Sequence, residues 1–197
     1  KKPSIAFVEG HGELDNMRTW DIGSALSEYY QVDRIVLDDK LNTITERHES
    51  DSLGIVVKNK YKALIIARPD TLFTEKEKFI LDQYVMRGGR ILWFIDPIMT
   101  SMDSLQFTGN TIGLPVDLNL DDMFFRYGIR FEKQLAMDLS CLPIPITTGN
   151  IGGQPQVDFL NWYYFPVLTP RSAHPIARNL NVIKTDFLSP LDTISVD

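Results

Sequence analysis

The stretch IAFVEGHGE, Ile5 to Glu13, decides how the rest of the chain can fold. It begins with an apolar run containing β-branched and aromatic side chains, which is typical of a strand buried on both faces of a parallel sheet. Two glycines then predict a tight turn that carries Glu9, His11 and Glu13. Because ligands of open α/β sheets bind where the strands end, we expect any functional site to begin at this turn.

Three further apolar runs predict the other strands of the same sheet. They span 32–37, 63–67 and 90–95. The segments that connect the strands are too long for hairpins, so we expect parallel strands and right-handed crossovers. The pattern therefore predicts an α/β fold, with a flavodoxin-like, doubly wound core and a mainly parallel sheet over residues 1–100.

The connecting segments differ in how clearly they predict helices. Residues 74–87 are the clearest case, because Thr74 stands at capping-box spacing from a glutamate and an apolar stripe follows. Residues 16–30 also carry apolar side chains at helical spacing. Between the second and third strands, 41–50 predicts a surface loop and 51–60 predicts a weak helix.

The second half of the chain has no clear period. Residues 101–197 contain long stretches rich in Gly, Pro, Ser and Thr, and they predict an irregular, loop-rich extension that packs on the same domain. Within this extension we expect a short helix at 119–127, an aromatic segment at 157–168 and a closing strand near 190–196.

The aromatic segment contains four consecutive aromatic residues: Trp162, Tyr163, Tyr164 and Phe165. Because successive side chains of a strand point to opposite faces, they cannot all lie on one side. Aromatic side chains beside a proline make rigid apolar anchors, so one interpretation is contact with another protein. The alternative is that the same residues form the core of the extension.

Composition narrows the class of protein. The chain has 197 residues, of which 44% are apolar and 23% charged, as in an ordinary globular protein. A net charge of −6 and scattered basic residues argue against nucleic-acid binding. No apolar run is long enough to cross a bilayer. The chain begins at Lys1 without a methionine, so we expect it to be a fragment of a longer protein.

The turn Glu9–Asp15 offers either a metal site or a general acid and base, because alternate positions place several ligating groups on one side. No second His or Cys lies at ligand spacing, so we expect no metal and no cofactor. The structural alternative is that the glycines allow the turn while the carboxylates cap the next helix. A dinucleotide motif fails because its third glycine would fall at Asp15, and no P-loop occurs.

Two further polar residues follow the third and fourth predicted strands. In a flavodoxin-like order, Arg68 and Asp96 would neighbour the first turn. With Glu9, His11 and Glu13 they would form a crevice for a small polar ligand, which we call the candidate crevice. The alternative is that Asp96 only forms a turn before a proline and that Arg68 only neutralises local carboxylates.

Several motifs then occur in a fixed order: FVEGHGELD, RGGRILWFIDP, NLDDMFFRYGIR, GGQPQ, NWYYFPVL and HPIARNL. Their order and spacing resemble the extracytoplasmic region of GldG-type proteins. These are gliding-motility-associated auxiliary components of ABC transporters in Bacteroidetes, within the ABC-type uncharacterised transport system domains. The resemblance covers nearly the whole chain. It implies a fold similar to class I glutamine amidotransferases and to a domain of intraflagellar-transport proteins.

The resemblance also implies a location and partners. The domain would lie at the periplasmic face of the inner membrane, anchored by transmembrane helices outside this sequence. Its partners would be a separate ATPase and a permease, with a link to gliding or secretion, and both homo- and hetero-oligomers fit. No catalytic residue carries over, because the elbow that holds the amidotransferase cysteine reads ARPDTL here, Ala67 to Leu72.

We therefore expect a non-enzymatic accessory domain that acts through protein contacts and through small-ligand binding at the strand ends. Two other classes stay open. One is a hydrolase that uses Glu9, His11 and Asp96, and a desolvated His–carboxylate pair would favour it. The other is a substrate-binding protein, which needs two comparable lobes around a hinge. Cys141 lies between Leu139 and Leu142 and before a proline, and this context predicts a small buried side chain rather than a nucleophile.

Overall fold

The computed structural model describes residues 2–50, 54–108 and 110–195. The chain divides into two compact units. The first comprises Lys1–Asp96, Val116–Arg130 and Thr193–Asp197, and the second comprises Pro97–Pro115 and Phe131–Asp192. All five residues of the candidate crevice lie in the first unit, and the aromatic segment lies in the second.

The secondary-structure elements are numbered along the chain. The strands are β1 (Ser4–Glu9), β2 (Gln31–Val36), β3 (Thr45–Ser50), β4 (Gly54–Asn59), β5 (Ala63–Ala67), β6 (Arg90–Phe94), β7 (Ile98–Met99), β8 (Leu114–Pro115), β9 (Ile129–Phe131), β10 (Cys141–Ile151), β11 (Gln154–Leu168), β12 (Ile183–Lys184) and β13 (Leu191–Thr193). The helices are α1 (Trp20–Ser27), α2 (Glu75–Met86), α3 (Met102–Thr108) and α4 (Asp121–Arg126), with a 3-10 turn at Leu41–Thr43. A closing strand was expected near 190–196, and residue 196 of that range lies outside the described residues.

Four strands of the first unit form a parallel sheet in the order β2-β1-β5-β6. The two inner strands carry the core, with Ala6, Leu64 and Ile66 fully buried. Helices α1 and α2 connect β1 to β2 and β5 to β6. The prediction of a mixed α/β fold with a parallel core sheet is confirmed, and the carboxyl end of β1 lies between β2 and β5 as the candidate crevice requires.

The connection from β2 to β5 is not helical. Strands β3 and β4 form an antiparallel hairpin, with Thr45 opposite Asn59 and Ser50 opposite Gly54. The predicted loop over 41–50 and weak helix over 51–60 are therefore wrong over the hairpin strands, while residues 51–53 lie outside the described residues. The hairpin was missed because β3 carries charged side chains on both of its faces, and an exposed ribbon lacks the apolar alternation of a half-buried strand.

The sheets described in the second unit are antiparallel, so a mainly parallel sheet holds for the first unit alone. Strands β10 and β11 form one long hairpin, Cys141–Leu168, which we call the ribbon. Its two-residue turn consists of Gly152 and Gly153, whose φ angles are 61° and 85°. Positive φ at both positions is typical of a type I′ turn, whose twist matches the right-handed twist of the two strands. The extension predicted to be irregular thus contains a regular element, which its prolines and glycines had obscured.

Candidate functional site

The turn after β1 is held by the loop that follows β5. Leu14 N donates to Ala67 O at 2.9 Å, and Asp70 N donates to His11 O at 2.8 Å. Gly12 has a φ of +74°, and a Cβ built there would lie 1.7 Å from Asp70 Oδ1. Only a residue without a side chain permits this approach, so the glycine allows the two loops to touch.

His11 is buried in this turn between two carboxylates. Its Nε2 lies 3.1 Å from Glu77 Oε2, and its Nδ1 lies 3.4 Å from Glu13 Oε1. One face of the ring stacks on Phe73, with centroids 3.8 Å apart and planes 13° apart. The side chains of Glu13 and Glu77 are 1% and 8% exposed. We call His11, Glu13 and Glu77 the His11 cluster.

The protonation of His11 follows from these contacts. Burial alone lowers the pKa of the imidazole, because it penalises the charged form. The contacts with Glu13 and Glu77 outweigh burial and raise the pKa of His11 above its ordinary value of 6.5. A protonated ring offsets negative charge that would otherwise be costly to bury, so the cluster joins two elements electrostatically.

Glu77 connects the His11 cluster to the start of α2. Thr74 Oγ1 accepts a hydrogen bond from Glu77 N at 3.2 Å, and Glu77 Oε2 accepts one from Thr74 N at 2.9 Å. This reciprocal pair is the capping box expected from the sequence. The same Glu77 oxygen faces His11 Nε2. One carboxylate therefore caps a helix and holds the turn after β1.

The other candidate residues form two separate ion pairs. Arg68 Nε lies 2.9 Å from Asp96 Oδ2, and these side chains are 42% and 58% exposed. Glu9 accepts a hydrogen bond from Nε of Arg34 on β2. The five residues of the candidate crevice are thus divided among three pairings. They do not form one set of unbound polar groups.

Sequence reasoning missed three contacts of the candidate residues. Arg34 pairs with Glu9, Glu77 pairs with His11, and Phe73 stacks on the His11 ring. The His11–Glu77 contact joins residues 66 positions apart, and local spacing carries no signal for it. Arg34 had a weak signal, because it lies beside Phe7 in the parallel register of β1 and β2. A basic residue on a neighbouring strand is a natural partner for the acidic residue that ends β1.

Metal and thiol chemistry were the other candidate activities. Within residues 2–50, 54–108 and 110–195, no three His, Cys, Asp or Glu side chains are placed to hold a metal ion. Cys141 begins β10 as a free thiol that is partly buried. It therefore lies on a strand and not on the sharp strand-to-helix elbow of a nucleophile.

The aromatic segment alternates between two sides of β11. Trp162 and Tyr164 lie together with ring centroids 5.8 Å apart, and with Phe187 they line a cavity of about 360 Å³. Tyr163 points to the other face and is 42% exposed. Phe165 is buried edge-to-face against Phe187 at 5.1 Å. Residues 162–165 therefore contribute to the core of the second unit, and Tyr163 among them is exposed.

The fold is mixed α/β, and the turn after β1 of its parallel sheet contacts the first turn of α2 through His11 and Glu77. Comparison with protein families then places the molecule. The chain belongs to the ABC-type uncharacterized transport system family, whose model matches residues 2–197. Membership of this family indicates an auxiliary component of an ABC-type transport system.

The chain is also similar to a solved structure described as "mmIFT52 N-terminal domain". The TM-score is 0.52 at 15% sequence identity, and the match covers 97% of this chain and 68% of that chain. At this identity the likeness concerns the fold alone. No curated protein matches the chain. In the part of the chain that the structure describes, none of the helices combines the length and the hydropathy needed to span a membrane.

Proposed function

We propose that this chain is an extracytoplasmic accessory domain of an ABC transport system that acts through protein contacts and not through catalysis. In this proposal it is a GldG-type protein. Transmembrane helices outside residues 1–197 hold it at the periplasmic face of the inner membrane. Its partners are the permease and the ATPase of the same system, and its role extends to gliding or secretion. Family membership supports the transport role.

The observation that carries the non-enzymatic part is the use of every candidate polar group in an internal contact. A general acid or base must reach a substrate within hydrogen-bond distance. His11 is 3% exposed, its two nitrogens face Glu13 and Glu77, and its ring face lies on Phe73. Nε2 is within hydrogen-bond distance of Glu77, whereas Nδ1 has no hydrogen-bond partner among the described residues and is closed off by burial. The cluster therefore supports a structural role.

We also propose that the parallel sheet belongs to the flavodoxin-like, doubly wound class. The strand order β2-β1-β5-β6 supports this, because it reads 2-1-3-4 when only the parallel strands are numbered. In that class ligands bind beyond the carboxyl ends of the strands. The exposed Arg68–Asp96 pair lies at that edge and supports a small polar ligand as an additional role.

Substitution of Tyr163 tests whether the aromatic segment contacts the transporter subunits. It is exposed on β11, whereas the adjacent Trp162 and Tyr164 are partly buried and Phe165 is buried. Tyr29 offers a matched control, because it is another exposed tyrosine, 69% exposed, in the first unit. Aromatic residues at interfaces often account for much of the binding free energy. Replacement of each by serine therefore compares one proposed contact with one ordinary surface position.

The experiment is affinity purification of the full-length, membrane-anchored protein from its native host, followed by mass spectrometry of the proteins that come with it. We expect the permease and the ATPase to be enriched with the wild type and with Tyr29→Ser, and to be depleted with Tyr163→Ser. Recovery of neither transporter subunit with the wild type would contradict the accessory role. Equal recovery with both variants would exclude Tyr163 from the contact.

A hydrolase is the second candidate, because the His11 cluster is a desolvated imidazole between carboxylates, as acid–base catalysis often requires. In that hypothesis Glu9, His11 and Asp96 act together. The test is turnover of small amides and esters by the purified chain, with Asp96→Asn as the inactive comparison. Turnover that is lost in Asp96→Asn would favour the hydrolase and contradict the non-enzymatic proposal.

A further inference from the structure

The ribbon carries almost no charge although much of it faces solvent. Between Cys141 and Leu168, Asp158 is the one charged residue. Phe159 is 74% exposed, and Leu160 is 53% exposed. Depletion of charge together with exposed aromatic and aliphatic side chains is typical of the centre of an interface. This composition is compatible with contact between the ribbon and another protein chain.

The outer edge of β10 is closed to further strands. Pro143 and Pro145 lie opposite Asn161 and Phe159 in the β10–β11 ladder. Since proline has no backbone N–H, these pairs must be the rungs at which the two strands do not bond to each other. At such rungs both residues direct their backbone groups outward. The β10 edge therefore lacks a donor at two successive outward positions and cannot continue a ladder there.

Between Val157 and Asn161 the outer edge of β11 contains no proline and keeps its backbone donors. Val157, Phe159 and Asn161 occupy the same alternate rungs, so their N–H and C=O groups point away from β10. Strand β12 pairs with β11 at Val167 and Leu168. Along Val157–Asn161 no partner strand lies on this edge among the described residues. The ribbon thus has one protected edge and one open edge.

We propose that a second copy of this chain pairs antiparallel along the open edge of β11, centred on Phe159, so that the two ribbons form one four-stranded sheet. In this register Phe159 faces its counterpart across the two-fold axis, and the pair exchanges two backbone hydrogen bonds. Val157 faces Asn161, and Asp158 faces Leu160. The only charge of the ribbon therefore never opposes itself directly, and a like-charge penalty is avoided.

The protected edge explains why this assembly ends at two copies. Both outer edges of the four-stranded sheet belong to β10, where Pro143 and Pro145 stop further addition. A two-fold contact closes on itself, whereas a ribbon with two open edges would extend into a filament. The position of the prolines therefore favours a second copy over an open-ended partner strand. The proposal goes beyond the transport role and does not depend on it.

The decisive experiment places a new proline on either side of one rung. Val157 on β11 pairs with Thr147 on β10, and each directs its backbone N–H outward. Val157→Pro removes a donor from the open edge, and the two-fold axis doubles the loss. We expect the dissociation constant of the dimer to rise by about tenfold or more. Thr147→Pro alters the closed edge and should leave the constant unchanged within about twofold.

The dissociation constant is measured by sedimentation equilibrium of the 197-residue chain over a wide concentration range. Far-ultraviolet circular dichroism checks that both variants keep the fold. A wild-type chain that stays monomeric at every concentration would overturn the proposal. The same conclusion would follow if the two prolines weakened the dimer equally.

Cysteine cross-linking supplies a second measurement that does not rely on proline. In a Cys141→Ser background, Phe159→Cys places two thiols opposite each other at the two-fold axis. Residues of a hydrogen-bonded antiparallel pair have Cα atoms about 5.5 Å apart, within the range that a disulfide spans. A mild thiol oxidant should convert this variant to a covalent dimer. Thr147→Cys in the same background should remain monomeric, and equal cross-linking of the two would contradict the register.

Discussion

The turn after β1 and the ribbon use polar and apolar side chains in opposite ways. The turn buries an imidazole beside two carboxylates, with His11 3% exposed, whereas the ribbon leaves Phe159 74% exposed. The turn can bury charge because a group of opposite sign lies within a few ångströms of each carboxylate. Burial of a polar side chain therefore depends on the partners that the fold brings near it, and residue polarity alone does not determine it.

Removal of the imidazole is expected to have the largest effect. His11→Leu keeps an apolar volume but leaves Glu13 and Glu77 buried without a cation, so we expect the free energy of unfolding to fall by about 3–5 kcal/mol. His48→Leu is the control, because the His48–Glu46 pair is about half exposed on both sides. That change should cost less than about 1 kcal/mol. Urea unfolding monitored by tryptophan fluorescence measures both, and similar losses would refute the charge-pairing role.

Truncation of one leucine in the core sheet and one in the ribbon compares how much each region contributes to stability. Leu64 on β5 is 0% exposed and Leu160 on β11 is 53% exposed. Leu64→Ala leaves a cavity between packed strands and should lower the unfolding free energy by about 2–5 kcal/mol. Leu160→Ala should change it by less than about 0.5 kcal/mol. Calorimetric unfolding of both variants tests this, and a large loss in Leu160→Ala would mean that the ribbon is packed more tightly than its exposure indicates.

The pH dependence of stability isolates the charge on His11. Because the folded chain raises the pKa of His11, the protonated ring stabilises the fold. This stabilisation is complete below the unfolded value of about 6.5 and is lost as pH rises through the folded pKa. We therefore expect stability to decline over that interval. His11→Gln should remove the decline and His174→Gln should retain it, and a decline that survives in His11→Gln would assign it to another group.

The smallest expected effect concerns two threonine hydroxyls. Thr74 caps α2 through its bond with Glu77 N, so Thr74→Ala should lower the unfolding free energy by about 1 kcal/mol. Thr148 on the ribbon donates to Asp158 at 2.7 Å in an exposed position. Thr148→Ala should cost less than about 0.5 kcal/mol. Thermal unfolding followed by circular dichroism resolves the difference, and the reverse order would argue that Glu77 is held by His11 alone.

The parts of the fold that were predictable depend on neighbours in sequence. Strand β5 spans Ala63–Ala67 as the apolar run predicted, because a strand buried on both faces needs an unbroken apolar segment. The capping box of Thr74 and Glu77 was also predictable, since both of its hydrogen bonds join residues three positions apart.

The parts that were not predictable depend on contacts between distant segments. The β3–β4 hairpin and the ribbon are exposed on most positions, so they lack the burial that produces a strand pattern. In the candidate crevice, neutralisation of a local carboxylate by Arg68 was among the alternatives, whereas Arg34 as partner of Glu9 and Glu77 as partner of His11 were not predicted. His11 meets Glu77 because α2 begins where the turn after β1 ends, and this depends on the order of strands in the sheet.

The Gly152–Gly153 turn helps to set which side chains of β10 and β11 lie beside each other in the ribbon. Both residues have positive φ, a conformation that the chirality of ordinary amino acids disfavours. Alanine at both positions would favour a loop of different length and a shift of one residue between β10 and β11. Because alternate side chains point to opposite faces, such a shift would place the side chains of β11 beside different neighbours on β10. Two achiral residues at the tip thus help to fix which side chains of the ribbon lie on the same face.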